Sequence, residues 1–369
     1  MVSIIISALI ITYVLMVLIL WLGWEKAGPF QEVLVVEQPV SIVIAIRNEA
    51  ENIVNLLQDI RDQDYPQEMV EVILIDDHST DNTVDLVSKF IKSDKLNINL
   101  FSLINEEGKK AAIHEGVQKA SHELIITTDG DCRAQPDWIT SMLAFFTDQN
   151  TQLVSGPVRI YPQESFFSRL QGNEFTTLIS SGAATIALGW PTMANGANLA
   201  YRKSAYHEVS ERYENAASGD DVFLLHKIKD KYPEGICFCK DKNAIVDTPA
   251  ASSIKSFYNQ RKRWASKWGE YRHWPTKLLA VLIFCVNMGV LLLPVLAVFN
   301  MVTWVLAANL FVVKFVFEFW FIKTVQKFFN VEFRLYEFVI LTLIYPFYVT
   351  FIAVAGLFSK YEWKGRRTI

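Results

Sequence analysis

Three stretches without a single Asp, Glu, Lys or Arg limit what this chain can fold into. They cover residues 2–24, 278–313 and 338–358. A helix of about 20 apolar residues crosses the hydrocarbon core of a bilayer, so each stretch is long enough to span one. The overall hydrophobic share, 51% of 369 residues, is that of many globular proteins and decides little alone. Its distribution excludes a purely soluble enzyme, a disordered chain and a small disulfide scaffold. A net charge of −4 argues against nucleic acid as a partner. Cys132, Cys237, Cys239 and Cys285 show no pairing pattern, and Cys237-x-Cys239 has no second Cys or His pair to close a tetrahedral metal site. Scattered cysteines suit a reducing compartment. The first apolar stretch has neither a basic segment before it nor a small-x-small cleavage site before Glu25 and Lys26. It reads as a transmembrane anchor over residues 1–24 rather than a signal peptide.

Residues 251–277 form a basic, aromatic collar before the second apolar stretch. Between Lys255 and Lys277 seven Lys or Arg face the single acid Glu270, a local charge of +6 that leaves −10 on the rest. Phe257, Tyr258, Trp264, Trp268, Tyr271 and Trp274 are interleaved with them, which suits a helix lying in the headgroup layer. A solvated charged helix is the plainer alternative. Basic residues beside a span mark the cytoplasmic side. This expectation puts residues 39–250 in the cytosol, the N-terminus outside and the protein in the cell (inner) membrane.

As one helix the run 278–322 would be about 67 Å long, twice the bilayer core, so it is expected to turn back near Phe299 and Asn300. In its second half Lys314 and Glu318 stand four apart and can neutralise each other. Residues 278–358 therefore hold two or three spans. Three spans leave the basic tail 359–369, with Lys360, Lys364, Arg366 and Arg367, outside and against the same charge rule. A re-entrant segment kinked at Pro294 or Pro346 is the alternative.

In the middle of the chain, strand-like and helix-like patterns alternate. Residues 41–46, 70–75, 97–103 and 123–128 are short and rich in β-branched types. Helical patterns at 49–62, 83–91 and 109–120 separate them. This order predicts an α/β fold, a mostly parallel sheet with helices on both faces. Ligands of such sheets bind beyond the carboxyl ends of the strands. There the chain has Arg47-Asn48-Glu49, Asp76-Asp77-His78-Ser79-Thr80-Asp81 and Asp129-Gly130-Asp131. Ser79 or Asp81 is expected to cap the following helix, but capping does not account for so many acids at one edge. Carboxylates gathered there repel one another unless a cation meets them. Asp129 and Asp131 suit Mg²⁺ or Mn²⁺ bridging to a diphosphate. His78, His114 and His226 lack zinc-site spacing.

The ordered series S-I-V-I-A-I-R-N-E, I-D-D-H-S-T-D, G-K-K-A-A-I-H-E-G, T-D-G-D, G-D-D and Q-R-K-R-W, spread from Val40 to Trp264, resembles that of the family 2 glycosyltransferases of GT-A fold. The resemblance is to their membrane-bound branch, with cellulose synthase, hyaluronan synthase, poly-N-acetylglucosamine synthase and ceramide glucosyltransferase. It implies that Arg47 and Glu49 border the nucleotide base and ribose, that Asp76 or Asp77 hydrogen-bonds the base, and that Lys109 and Asp129 lie on the donor side. It implies a metal at Asp131, beside Asp129. Asp221 matches the catalytic aspartate, with Asp220 standing where the family usually has Glu. Gln260, Arg263 and Trp264 match the Q-x-x-R-W motif, where the Arg supports the leaving diphosphate and the Trp floors the acceptor. The segment from Asn195 through Asn198 to Arg202 resembles the part beside the acceptor.

The chemistry suits these residue types. Direct sugar displacement needs a base for the acceptor hydroxyl, for which Asp221 or Asp220 is the candidate. It needs positive charge for the departing nucleoside diphosphate, which Arg263 and a metal supply. An indole such as Trp264 packs on the apolar face of a sugar, although alone it is equally a lipid-interface anchor. The expectation is an inverting hexosyltransferase using a nucleotide-diphosphate sugar, expected to be a UDP-sugar, on a membrane-presented acceptor. So few spans offer little shelter for a polar polymer, so a lipid acceptor is favoured over polysaccharide synthesis. Partner subunits alter that balance. A catalytically silent membrane subunit that binds a nucleotide sugar is the alternative of another class.

Overall fold

The computed structural model describes residues 1–28, 37–104, 106–210, 220–267 and 273–358, and residues 362–363 and 366–367. In chain order the elements begin α1 (Val2–Lys26), β1 (Val40–Ile46), α2 (Ile53–Arg61), β2 (Val70–Asp76), α3 (Thr83–Ser93) and β3 (Asn97–Ser102). They continue α4 (Lys109–Lys119), β4 (Leu124–Asp129), α5 (Trp138–Leu143), β5 (Leu153–Ser155), β6 (Val158–Ile160) and α6 (Phe166–Ala187). Then come β7 (Leu199–Arg202), α7 (Lys203–Ser210), α8 (Asp220–Lys231), β8 (Ile236–Phe238) and β9 (Val246–Thr248). Last are α9 (Ile254–Ser266), α10 (Trp274–Val298), α11 (Trp304–Phe329), α12 (Leu335–Phe358) and the short pair β10 (Glu362–Trp363) and β11 (Arg366–Arg367).

These elements fall into a sheet unit, Ala27–Tyr161 with Ile186–Pro249, and a helical unit, Met1–Lys26 with Pro162–Thr185 and Ala250–Ile369. The sheet has the order β3-β2-β1-β4-β7-β5-β8. Strands β3, β2, β1 and β4 are parallel, whereas β7 runs antiparallel to both β4 and β5. Strands β1 and β2 are buried along almost their whole length. Burial on both faces is why they read as continuous β-branched runs rather than as alternating patterns. Helices α4 and α8 pack Ala112, Val117, Leu225 and Ile228 with Val43, Ile75 and Ile125 in one core. Register places Ile46 opposite Asp76 and Ala45 opposite Asp129, so three strands deliver their following residues to a single edge.

One expected helix starts late. The pattern 49–62 predicts helix from Glu49, yet α2 begins at Ile53. Asn48 adopts φ +52°, while the N–H groups of Glu49 and Ala50 donate to Thr83 Oγ1 at 2.8 Å and Asp81 Oδ2 at 3.2 Å. Long-range partners thus hold the first residues of the pattern in a loop at the strand ends.

In the helical unit α1, α10, α11 and Leu335–Gly356 of α12 are each long and apolar enough to cross a membrane. The turn between α10 and α11 lies where expected, with Asn300 at φ +55°. Pro294 and Pro346 sit inside continuous helices. Lys314 Nζ donates to both Glu318 oxygens at 2.8 Å, and Tyr13 Oη donates to Glu318 Oε1 at 2.5 Å. Ile6, Ile10 and Val14 of α1 share an apolar cluster with Leu293, Ala297 and Leu310. Helix α9 starts at a Ser253–Ser256 capping box. The collar residues Trp268, Glu270, Tyr271 and Arg272, and the tail residues Lys360 and Lys364, lie outside the described residues.

Candidate active site

The acids after β2 have separate tasks. Arg47 Nη1 donates to the Asp77 backbone oxygen at 2.6 Å and stands 4.0 Å from its carboxylate. Both side chains are nearly covered, at 11% and 1% exposure. The Asp77 N–H donates to Ile46 O at 2.8 Å, and Asp77 Oδ1 faces His78 Nδ1 at 3.2 Å. Asp76 accepts the Ser79 N–H at 3.1 Å, which closes the turn. Asp81 performs the expected capping, accepting from the Thr83 N–H and hydroxyl. Burial opposes its charge, but these donors and the Ala50 N–H outweigh burial and hold the Asp81 carboxyl below the usual range. Glu49 is buried, and its Cγ comes within 2.9 Å of where a Cβ on Gly130 would stand. The middle residue of Asp129-Gly130-Asp131 therefore has to be small.

Three motifs distant in sequence converge in the sheet unit. Gly108 at φ +101° swings the chain into α4, a backbone state that suits glycine. Lys109, the first residue of that helix, forms an ion pair with Asp129 at the end of β4. Asp221, half-buried near the start of α8, accepts the Val222 N–H at 2.8 Å and the Gly196 N–H at 3.1 Å. Gly196 O in turn accepts from Thr127 Oγ1 of β4 at 3.1 Å. A Cβ on Gly196 would lie 3.8 Å from Asp221 Oδ2 and 3.9 Å from Lys109 Nζ. The glycine thus occupies the space between a cation and a carboxylate. In the sequence it lay within the segment from Asn195 to Arg202 that resembles the part beside the acceptor. Asp221 starts a helix, as acids favour, and also faces this space. The Asp220 side chain and Gly219 lie outside the described residues.

Asp131 is half-buried beside the buried Cys132. Burial first, then the Asp131 and Asp129 carboxylates, push the Cys132 thiol well up, so this cysteine is a packed neutral neighbour. Among the described residues no group of three or more His, Cys, Asp or Glu is gathered. Two carboxylates with room for diphosphate oxygens and water are the donor set that Mg²⁺ or Mn²⁺ accepts, so Asp131 and Asp129 fit such an ion.

Asn198 is placed differently from the acceptor-side expectation. It is fully buried, its Oδ1 accepts the Trp138 indole N–H at 2.9 Å, and its Nδ2 donates to Pro157 O at 2.9 Å and Ala244 O at 2.8 Å. Its side chain is committed to tying the loop before β7 into the core. In the helical unit Gln260, Arg263 and Trp264 lie on α9, each half-buried.

The glycosyl transferase family 2 model matches residues 41–210. A poly-β-1,6-N-acetyl-D-glucosamine synthase of Staphylococcus epidermidis is 26% identical over 65% of this chain and 58% of its own. Glycosyltransferase AglE of Haloferax volcanii is 26% identical over 52% of this chain and 61% of its own. The chain thus spans about three fifths of the length of these relatives. A mannosyltransferase from Pyrobaculum calidifontis, solved with GDP-mannose and Mn²⁺, superposes with a TM-score of 0.58 at 16% identity over 96% of both chains. That likeness is one of fold. Parallel strands ending in paired acids, the match over residues 41–210 and these relatives give the chain a glycosyl transferase family 2 domain on a GT-A fold, and among the described residues four helices are fit to cross a membrane.

Proposed function

We propose that the chain transfers a sugar from a nucleotide-diphosphate sugar, a UDP-sugar, to a lipid acceptor presented at the membrane, inverting the anomeric centre. The observation that carries this reading is the convergence of Lys109, Asp129 and Asp221 around Gly196. Arg47, Glu49, Asp76 and Asp77 take the nucleoside end of the donor. Lys109 sets a cation beside its diphosphate. Asp131 and Asp129 would hold Mg²⁺ or Mn²⁺, whose contribution is to neutralise diphosphate oxygens. Asp221 takes the acceptor hydroxyl proton as the oxygen bonds to the anomeric carbon. The bond from that carbon to the diphosphate breaks, and its electron pair leaves with the diphosphate. Arg263 stabilises that charge, while Gln260 and Trp264 serve the acceptor.

The sheet unit is read as cytosolic and the N-terminus as outside, in the cell membrane. Lys323, Lys327 and Arg334 border the α11–α12 turn, which this topology also places inside, as the charge rule favours. The four candidate spans among the described residues favour a lipid acceptor, since a polar polymer needs shelter from hydrocarbon. The poly-N-acetylglucosamine synthases among the relatives favour a second reading, chain extension on a saccharide. Membranes carrying the protein, supplied with labelled UDP-glucose, UDP-N-acetylglucosamine or GDP-mannose, separate the two. Organic-extractable product from a UDP-sugar supports the lipid acceptor. High-molecular-weight product contradicts it in favour of extension, and transfer from GDP-mannose alone contradicts the UDP assignment.

A further inference from the structure

Within the run Gln260-Arg261-Lys262-Arg263-Trp264, the first of the two residues that the motif leaves unspecified is the buried one. Arg261 is 4% exposed. Its Nε and Nη2 donate to Glu174 Oε2 at 3.1 and 2.7 Å, and its Nη1 donates to Gln260 Oε1 at 2.7 Å. Its guanidinium also lies 4.2 Å from the centre of the Trp264 ring and 4.6 Å from that of Phe257. One cation therefore holds both Gln260 and Trp264. Glu174, on α6, is held in turn by Tyr348 of α12, whose hydroxyl donates to Oε1 at 3.0 Å. Phe175 adds a ring contact to Trp264, with centroids 6.1 Å apart.

Attachment of α9 to α12 does not require these charges. Phe257 meets Tyr348, Tyr258 meets Phe351, and Gly356 admits Ala265 so closely that a Cβ there would lie 2.9 Å from the alanine Cβ. Apolar groups of equal volume commonly replace a buried ion pair without loss of stability. What they cannot replace is the planar fork that orients an amide on one side and an indole on a face. Glu174 is also the only charged residue between Arg169 and Arg202.

We propose that Glu174 is a positioning residue for sugar transfer, fixing Gln260 and Trp264 through Arg261. This rests on reading those two residues as the acceptor side. The test uses the full chain in membranes, measuring kcat, acceptor KM and thermal unfolding. Arg261→Lys keeps a cation beside Glu174 but loses the fork and the flat face. Its kcat/KM is expected to fall about tenfold or more with its melting temperature held. Glu174→Gln is expected to lose both, and Glu174→Gln with Arg261→Met to regain stability but not turnover. Wild-type turnover per folded molecule in Arg261→Lys and in the double variant overturns the positioning role. Loss of turnover in Trp264→Ala beside that result leaves the acceptor-side reading standing, whereas full turnover in Trp264→Ala removes that reading and the proposal with it.

Discussion

The carboxylate of Asp221 accepts a hydrogen bond from the backbone N–H of Gly196 at 3.1 Å. Gly196 O accepts in turn from Thr127, two residues before Asp129. The strand that carries the paired acids and the helix that carries the candidate base are thereby joined through one residue without a side chain. A Cβ there would stand in ordinary contact with Asp221 and Lys109, so the room the glycine leaves is that of a methyl group between the candidate base and a cation.

Gly196→Ala tests that space. The backbone there is not left-handed, and the added methyl meets its neighbours at 3.6 to 3.9 Å, so the fold tolerates it. Replacing glycine where the backbone permits stabilises by about 0.4–1 kcal/mol. Steady-state kinetics and thermal unfolding of the variant are expected to show an unchanged or slightly higher melting temperature with kcat/KM down about tenfold or more. Unaltered kinetics would remove Gly196 from the site.

Chelation tests the metal assignment. EDTA is expected to stop transfer in membranes and added Mn²⁺ or Mg²⁺ to restore it. Asp131→Asn is expected to raise the metal concentration for half-maximal activity by about tenfold or more. Full activity in chelator takes the metal role away from Asp131 and Asp129.

The sheet unit has its own acid sensitivity at Glu71. This buried side chain accepts from the Ser41 hydroxyl at 2.6 Å and from the Ser121 N–H and hydroxyl, both at 2.9 Å. Burial alone would raise its pKa, yet these donors together hold it below the ordinary value. A depressed carboxyl contributes stability above its unfolded pKa of about 4.3 and loses it as pH falls through the folded value. Glu71→Gln is expected to cost about 1–3 kcal/mol at neutral pH and progressively less below pH 4, as read by denaturant melts at several pH values. An equal cost at all pH values contradicts the account.

In the helical unit, Lys314 is 1% exposed and its charge is met by Glu318, which Tyr13 of α1 also binds. Removing one partner leaves a buried charge, at a cost of about 3–5 kcal/mol. Glu318→Gln is expected to lower the melting temperature in detergent well below wild type, and Lys314→Met with Glu318→Leu to regain most of it. Equal stability of the single and double variants argues against the pair.

Much of this was legible in the chain. Strands β1, β2 and β4 were readable because burial on both faces concentrates β-branched residues, and the polar edge because polar and acidic residues follow those strands. The late start of α2 was not, since Thr83 and Asp81, some thirty residues away, capture its first N–H groups. Asn198 was expected beside the acceptor, and its bonds in the core were not legible because Trp138, Pro157 and Ala244 come together only in the fold. Arg261 was indistinguishable from Lys262 in the basic collar until burial set it apart. The segment Pro162–Thr185 lay within the expected 39–250 domain, yet it groups with the helical unit through contacts such as Asn173 with Gln326.

The most direct measurement of the central claim is turnover and donor binding by Asp221→Asn side by side. The asparagine keeps an oxygen to accept the Gly196 N–H but cannot take a proton. The account predicts turnover reduced about a hundredfold or more with donor affinity within about twofold of wild type. Wild-type turnover with wild-type donor binding would contradict it and move the role of base to Asp220.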